Sequence, residues 1–299
     1  MGFETALDIL NFITNAVNIG YWLLAAAAMV GSFITLKGKA PIWGRILAAL
    51  AIGGLLMSWP ISNQIKYNKQ KKERKAVYDA ADAQFQMRCK SAGVNIYRTV
   101  DNVEGVLLMK LRPKWDPYDQ NMIDPYGHDE TGENYIKSFL ARIKGYGQFS
   151  NVNVKPSYRY VDVIEPDGKR YRYTGYMGLL PDRPGRTEPA FMLKRTLAKG
   201  PAPRYGVTYD DITTPEERKN WIAGSSLRII DLKTNEVIAE RIGYMIDRGM
   251  GNNSGGRSPW DHAARWACPS FPTSLADNAP MNGLQTINFV EKVLKIRGH

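Results

Sequence analysis

The chain has 299 residues, is 44% hydrophobic and 23% charged, and carries a net charge of +11. Its two cysteines, Cys89 and Cys268, cannot by themselves complete a tetrahedral zinc site, and there is no C-x-x-C. Residues 1–75 hold +6 of the charge, so the remainder is only mildly basic for its size.

Residues 9–36 contain no charged side chain, and after a short basic loop residues 46–65 contain none either. A helix crossing the hydrocarbon core needs about 20 mostly apolar residues, which both runs supply. The clean core of the first is residues 20–36, ended by Lys37 and Lys39. The second runs from about Trp43 to Trp59, with Pro41 at its entrance and Pro60 after its end. Trp22, Trp43 and Trp59 fall near the expected interfaces, where indole rings favour headgroup depth. Small residues spaced by four, such as Ala27 with Gly31 and Ala49 with Gly53, suit close helix contact. A cleaved signal peptide fits the first run badly, because the preceding MGFETALD is acidic and has no basic n-region. The expectation is a two-helix transmembrane hairpin over residues 1–62.

A basic cluster follows: Lys66, Lys69, Lys71, Lys72, Arg74 and Lys75. It reads as a topology signal, or as a site for anionic lipid headgroups at about 1 kcal/mol per basic residue. Nucleic acid is not expected, because only Tyr67 interleaves with the charges and no nucleic-acid module follows. Six basic residues after the second span against three in the connecting loop favour a cytoplasmic tail. A disulfide between Cys89 and Cys268 would argue for the opposite, oxidising side; spacing alone leaves both readings open.

Residues 63–92 form a basic juxtamembrane helix by composition, with Val77, Ala81 and Phe85 recurring every four residues as a docking face and Gly93 as its stop. Strands are expected at 95–100 and 106–112, a polar loop at 115–133, and a short helix at 134–144. Residues 158–164 and 169–176 form a hairpin around Glu165-Pro166-Asp167-Gly168. A strand at 202–212 precedes a short helix that Thr214 caps and Pro215 starts. Residues 226–232 and 236–247 make a second hairpin. A Gly/Asn/Ser loop covers 249–256, and an amphipathic helix closes the chain at 284–296. Residues 93–299 are thus read as one soluble α+β domain with a mainly antiparallel sheet.

Several groups could carry chemistry. Tyr171, Arg172 and Tyr173 alternate with further tyrosines and arginines on the first hairpin, and with Arg257 they could line a groove for an anionic ligand; exposed Tyr and Arg favour recognition surfaces. The same alternation is also ordinary strand patterning. The glycine loop could cradle a phosphate, although it lacks a P-loop ending and dinucleotide-fingerprint spacing, which makes a plain connector the simpler reading. Asp261 and His262 sit beside Cys268, a Cys–His combination that could activate a nucleophile; Cys268-Pro269 and the spacing of six argue instead for a structural role. His128-Asp129-Glu130 lies in the polar loop, and His299 ends the chain. There is no G-x-S-x-G, H-E-x-x-H, P-loop or calcium loop.

The stretches CKSAGVNIYRTVDNVEG, WIAGSSLRIIDLKTNEVIAERIGYMID and GGRSPWDHAARWACP resemble a family of uncharacterised bacterial membrane-anchored proteins, over roughly residues 70–299. The resemblance implies a bacterial cell membrane and supports a single domain after the anchor; it brings no activity. The two-span anchor departs from the single segment of that family. The expected function is a non-enzymatic binding or assembly protein, presented at the membrane surface without cofactor or metal. Its expected partners are lipids and either another protein or a second copy. The alternative is an enzyme or ligand sensor using residues 249–257 and His262.

Overall fold

The computed structural model describes residues 20–39, 41–113, 121–127, 132–142, 155–179, 189–252, 259–260, 262–271 and 285–296. The chain divides into two compact units, Met1–Ala76 and Val77–His299.

The first unit holds helix α1 (Gly20–Thr35) and most of helix α2 (Ile42–Cys89). Alanine and leucine dominate both apolar stretches, and such residues lose little freedom in a helix. Helix α2 is long and apolar enough to cross a membrane: its best 18-residue window has a mean hydropathy of 1.5 and is almost wholly exposed. Helix α1 is apolar but shorter. Helix α1 touches the first part of α2 at three places. The Tyr21 hydroxyl donates to the Leu56 carbonyl, and Arg45 Nε donates to the Phe33 carbonyl at 3.0 Å, with its guanidinium 4.2 Å from the Phe33 ring. Gly53 lets Met29 approach, since a Cβ there would lie 2.6 Å from the sulfur. The break expected at Pro60 is absent. Residues 42–89 form one helix with Pro60 inside it, where proline forfeits one backbone hydrogen bond without ending the helix.

The second unit is a mixed α+β domain dominated by one sheet. Its strands are β1 (Gly93–Ile96), β2 (Val100–Val103), β3 (Gly105–Leu108), β4 (Ala141–Arg142), β5 (Lys155–Pro156), β6 (Tyr160–Ile164), β7 (Arg170–Leu179), β8 (Pro189–Leu197), β9 (Tyr205–Asp211), β10 (Ile222–Asp231), β11 (Glu236–Ile246), β12 (Ala267–Cys268) and β13 (Leu294–Ile296). The helices are α3 (Gly132–Leu140), α4 (Pro215–Lys219) and α5 (Gln285–Val293). Nine strands make the main sheet in the order β1-β11-β10-β9-β3-β6-β7-β8, with β12 added to β11. The two expected hairpins, β6–β7 and β10–β11, are both present and antiparallel. Asn235 turns the second at φ 58°, a conformation asparagine tolerates. Strand β3 is parallel to both neighbours, β6 and β9, and strand β8 lies where no strand was expected.

Alternation along the strands sends side chains to two faces. On one face Val106, Leu108, Val161, Val163, Val207, Leu227 and Ile229 are buried under α3 and α5, which contribute Phe139, Ile136, Val290 and Val293. Beyond that core, Ala223 and Met245 are covered by Tyr126, Trp260 and Phe271. On the opposite face Ile222, Tyr244 and Ile246 pack with Ala81 and Phe85 of α2.

Candidate functional site

The end of α2 is fastened to the sheet by apolar packing, hydrogen bonds, ion pairs and a disulfide. Ala81 and Phe85 lie one turn apart and are buried, as their spacing predicts. Beside them Arg248 bonds the Tyr78 hydroxyl and, at 2.6 Å, Asp82, while Asn220 donates to Gln84 at 2.7 Å. Arg88 bonds Glu217, which is fully buried. The other Glu217 oxygen accepts from the Thr214 amide at 2.8 Å in a capping box, so one carboxylate both caps α4 and holds α2. The Arg88 pKa is raised, first by that hydrogen bond and then by the Glu217 charge. Finally Cys89 and Cys268 form a disulfide with Cα atoms 5.5 Å apart. The topology makes this possible: β1 pairs with β11 at residues 239–242 and β12 pairs at Tyr244 and Met245. The chain leaving α2 and the strand carrying Cys268 therefore share one rim of β11.

The Tyr/Arg hairpin is a self-contained ion network. Arg172 pairs with Asp162 at 2.7 and 3.0 Å and lies 3.8 Å from the Tyr160 ring centre. Asp162 is fully buried beneath this fork and Arg170. On the other face, by strand alternation, the Tyr171 hydroxyl donates to Asp167 at 2.8 Å and the Tyr173 hydroxyl to Glu165 at 2.6 Å. Arg195 of β8 forks onto Glu165 at 2.8 and 2.6 Å and stacks 3.5 Å from the Tyr171 ring. Glu165 is held below the ordinary carboxylate range, first by the Arg195 hydrogen bond. The Tyr173 hydroxyl is pushed up to about 12 by burial, reinforced by Glu165. The Arg172 pKa is raised by its bond to Asp162. Tyr171 and Tyr173 thus share a face, Arg172 occupies the opposite one, and acids of the chain itself fill the arginine forks.

The other expected residues are dispersed. Arg257, Asp261, His128, Asp129, Glu130 and His299 lie outside the described residues. His262 is exposed, just before a 3₁₀ turn at Ala263–Trp266. Cys268 is committed to the disulfide, which removes it as a thiol nucleophile for His262. At the start of the glycine loop, the fully buried Asp247 accepts from the amides of Gly249 at 3.0 Å, Gly251 at 3.2 Å and Trp260 at 3.4 Å. Amides that could have cradled a phosphate here hold a carboxylate of the chain. The side chains of Lys66, Lys69, Lys71, Lys72, Arg74 and Lys75 are all exposed on α2.

Sequence reasoning missed two ion clusters. Arg112 and Asp124 form a buried pair, 2% and 0% exposed, with the guanidinium 4.0 Å from the Tyr209 ring centre. Asp124 also accepts from the Gly127 amide at 3.1 Å, and its own amide donates to Asp211 at 3.0 Å. Burial raises the Asp124 pKa against the opposing pull of Arg112. For Asp211 burial pushes the same way, but bonds from Thr213 and the Asp124 amide, together with the Arg218 charge, bring it below the usual value. The second cluster is Asp231, fully buried and bonded by Arg98 at 2.7 Å and Arg204 at 2.8 Å. Neither could be read from a lone Asp-Pro-Tyr-Gly or Asp-Leu-Lys-Thr, which look like solvated turns. Among the described residues no three His, Cys, Asp or Glu side chains gather to hold a metal ion. No protein-family model, curated protein or solved structure matches the chain.

Proposed function

We propose that the chain is a membrane-anchored, non-enzymatic binding or assembly protein that presents its α+β domain at the membrane surface. One observation carries this reading. Large apolar side chains stand exposed along α1 and the first half of α2, among them Leu24, Trp43, Leu47, Leu50 and Leu55, each at least 65% exposed. Contiguous apolar surface of that extent belongs against lipid or protein, and the length of α2 suits lipid. The contacts of Tyr21 with Leu56, Met29 with Gly53 and Arg45 with Phe33 support a hairpin in which α1 crosses beside α2.

The disulfide bears on the side. Disulfides persist in oxidising compartments and are rare where thiols are kept reduced. We therefore place the domain on the oxidising face, periplasmic in a bacterial cell. This outweighs the charge count, a margin of three basic residues. On that face the exposed lysines and arginine of residues 66–75 meet anionic headgroups. The densely paired ion networks leave the domain as a scaffold whose exposed surfaces make the contacts.

Reporter fusions at the C-terminus test the orientation. An alkaline-phosphatase fusion is expected to be active and a fluorescent-protein fusion exported by the same route to be dark. The reverse pair of results would reject the proposed side.

A further inference from the structure

Proline inside a helix that crosses a membrane poses a specific problem. In an α-helix the amide of residue 60 donates to the carbonyl of Leu56, four residues back, and Pro60 has no N–H to give. Within hydrocarbon there is no water to take its place, and a proline is tolerated there when a neighbouring group serves the freed carbonyl. Helix α2 runs unbroken from Ile42 to Cys89 through Pro60. The carbonyl that Pro60 leaves without its amide, that of Leu56, is the one that accepts the Tyr21 hydroxyl of α1. The donor that the proline withholds is thus supplied by the other helix.

The same exchange runs in the opposite direction at the other end of the pair. Helix α1 ends at Thr35. In a continued helix the Lys37 amide would reach the Phe33 carbonyl; it donates instead to the Ile34 carbonyl at 2.9 Å. The Phe33 carbonyl accepts from Arg45 Nε of α2 at 3.0 Å. Each helix therefore has one carbonyl without its own amide, and a side chain of the other helix bonds to it. Between these two bonds the contact is close: Ala25 is buried, and a Cβ at Gly53 would lie 2.6 Å from the Met29 sulfur. Tyr21, Ala25, Met29 and Phe33 recur every four residues, so one stripe of α1 carries them all.

We propose that Tyr21 is a positioning residue for the anchor: its hydroxyl replaces the amide missing at Pro60 and pairs α1 with α2 in one register. This rests on the reading of residues 1–62 as a membrane hairpin and adds what fixes it. The residue type fits the task. A tyrosine presents an apolar ring to its surroundings and a single polar tip that donates. A phenylalanine would fill the same space and donate nothing, so the bond is separable from the packing. The register follows from helix geometry. A slip of one residue on either helix carries the partner group about 1.5 Å along the axis and about 100° around it, which takes the hydroxyl off Leu56. The demand for the bond comes from residue 60, so the worth of the Tyr21 hydroxyl depends on a proline to which it does not itself bond.

The test uses the full chain in mild detergent micelles titrated with dodecyl sulfate. Both native cysteines are in the disulfide, so Leu24→Cys and Leu55→Cys together take two spin labels. Both positions are exposed, and the labels leave the contact between the helices intact. Electron–electron distance measurements then give the ratio of separated to paired helices. At the midpoint for the labelled parent, Tyr21→Phe is expected to raise that ratio about three- to tenfold, the size of one hydrogen bond between membrane helices. In a Pro60→Ala background the residue-60 amide serves Leu56, and Tyr21→Phe is expected to change the ratio less than about 1.5-fold, well under the effect of one such bond. An equal effect in the two backgrounds overturns the proposal, and so does no effect with Pro60 in place; either result, with the parent labels close, leaves the hairpin standing. Labels already apart in the parent before dodecyl sulfate is added would discard the hairpin and the proposal together.

Discussion

Replacing both Cys89 and Cys268 by serine tests how the domain is closed. The bridge joins residues 179 apart in sequence. In the chain-entropy account, a loop of that length restricts the unfolded chain by about 5 kcal/mol at 25 °C. For a unit of this size each kcal/mol moves the midpoint by about 2–4 °C, so the double variant is expected to melt roughly 10–20 °C lower. Because this stabilisation acts mainly on the unfolded chain, the folded variant should keep its far-ultraviolet circular dichroism. Thermal melts of oxidised wild type, reduced wild type and the double variant, all full length in one detergent, make the comparison. The reduced protein and the variant should coincide. A fall below about 3 °C, or a free-thiol assay finding both cysteines reactive in protein isolated without reductant, would refute the reasoning.

Two further substitutions probe the buried ion clusters. Asp124→Asn keeps a residue that tolerates φ 52° but removes the charge facing Arg112, and urea titration at pH 7 should show a loss of about 3 kcal/mol. Adding Arg112→Met should recover part of it, whereas a cost below about 1 kcal/mol would mean that the carboxyl is already protonated in the folded protein. Asp231 has its folded pKa lowered, first by the Arg204 hydrogen bond. Its stabilisation is therefore present above the ordinary aspartate pKa of about 3.9 and is lost as pH falls through the lower folded value. Urea midpoints of wild type and Asp231→Asn should differ at pH 7 and converge below pH 4; a gap that widens on acidification would contradict the assignment.

What the sequence disclosed follows from the range of the interactions involved. The β6–β7 turn was legible because Glu165-Pro166-Asp167-Gly168 specifies it locally, and Gly168 adopts φ 76° there. The docking face of α2 was legible at Ala81 and Phe85, which keep helical spacing and are buried, whereas Val77, one turn earlier, is exposed. Strand β8 was not, because Pro-Ala-Phe-Met-Leu-Lys-Arg-Thr-Leu shows no clean period of two: Ala190 and Phe191, on opposite faces, are both buried. The parallel pairing of β3 with β6 and β9 depends on long-range packing that leaves no local mark. Proline at 60 signalled an end that the helix did not take, since one missing bond is small beside the rest of a 48-residue helix. The tyrosine and arginine alternation was visible, but which acids close onto the guanidinium groups is fixed by register. Arg195, from the unforeseen strand, completes the network.

The anchor is the claim on which the rest depends, and alkaline carbonate extraction tests it most directly. Membranes from cells expressing the full chain should retain it in the pellet after washing, and a chain lacking residues 20–65 should move to the supernatant. Release of the full chain by carbonate alone would contradict the account.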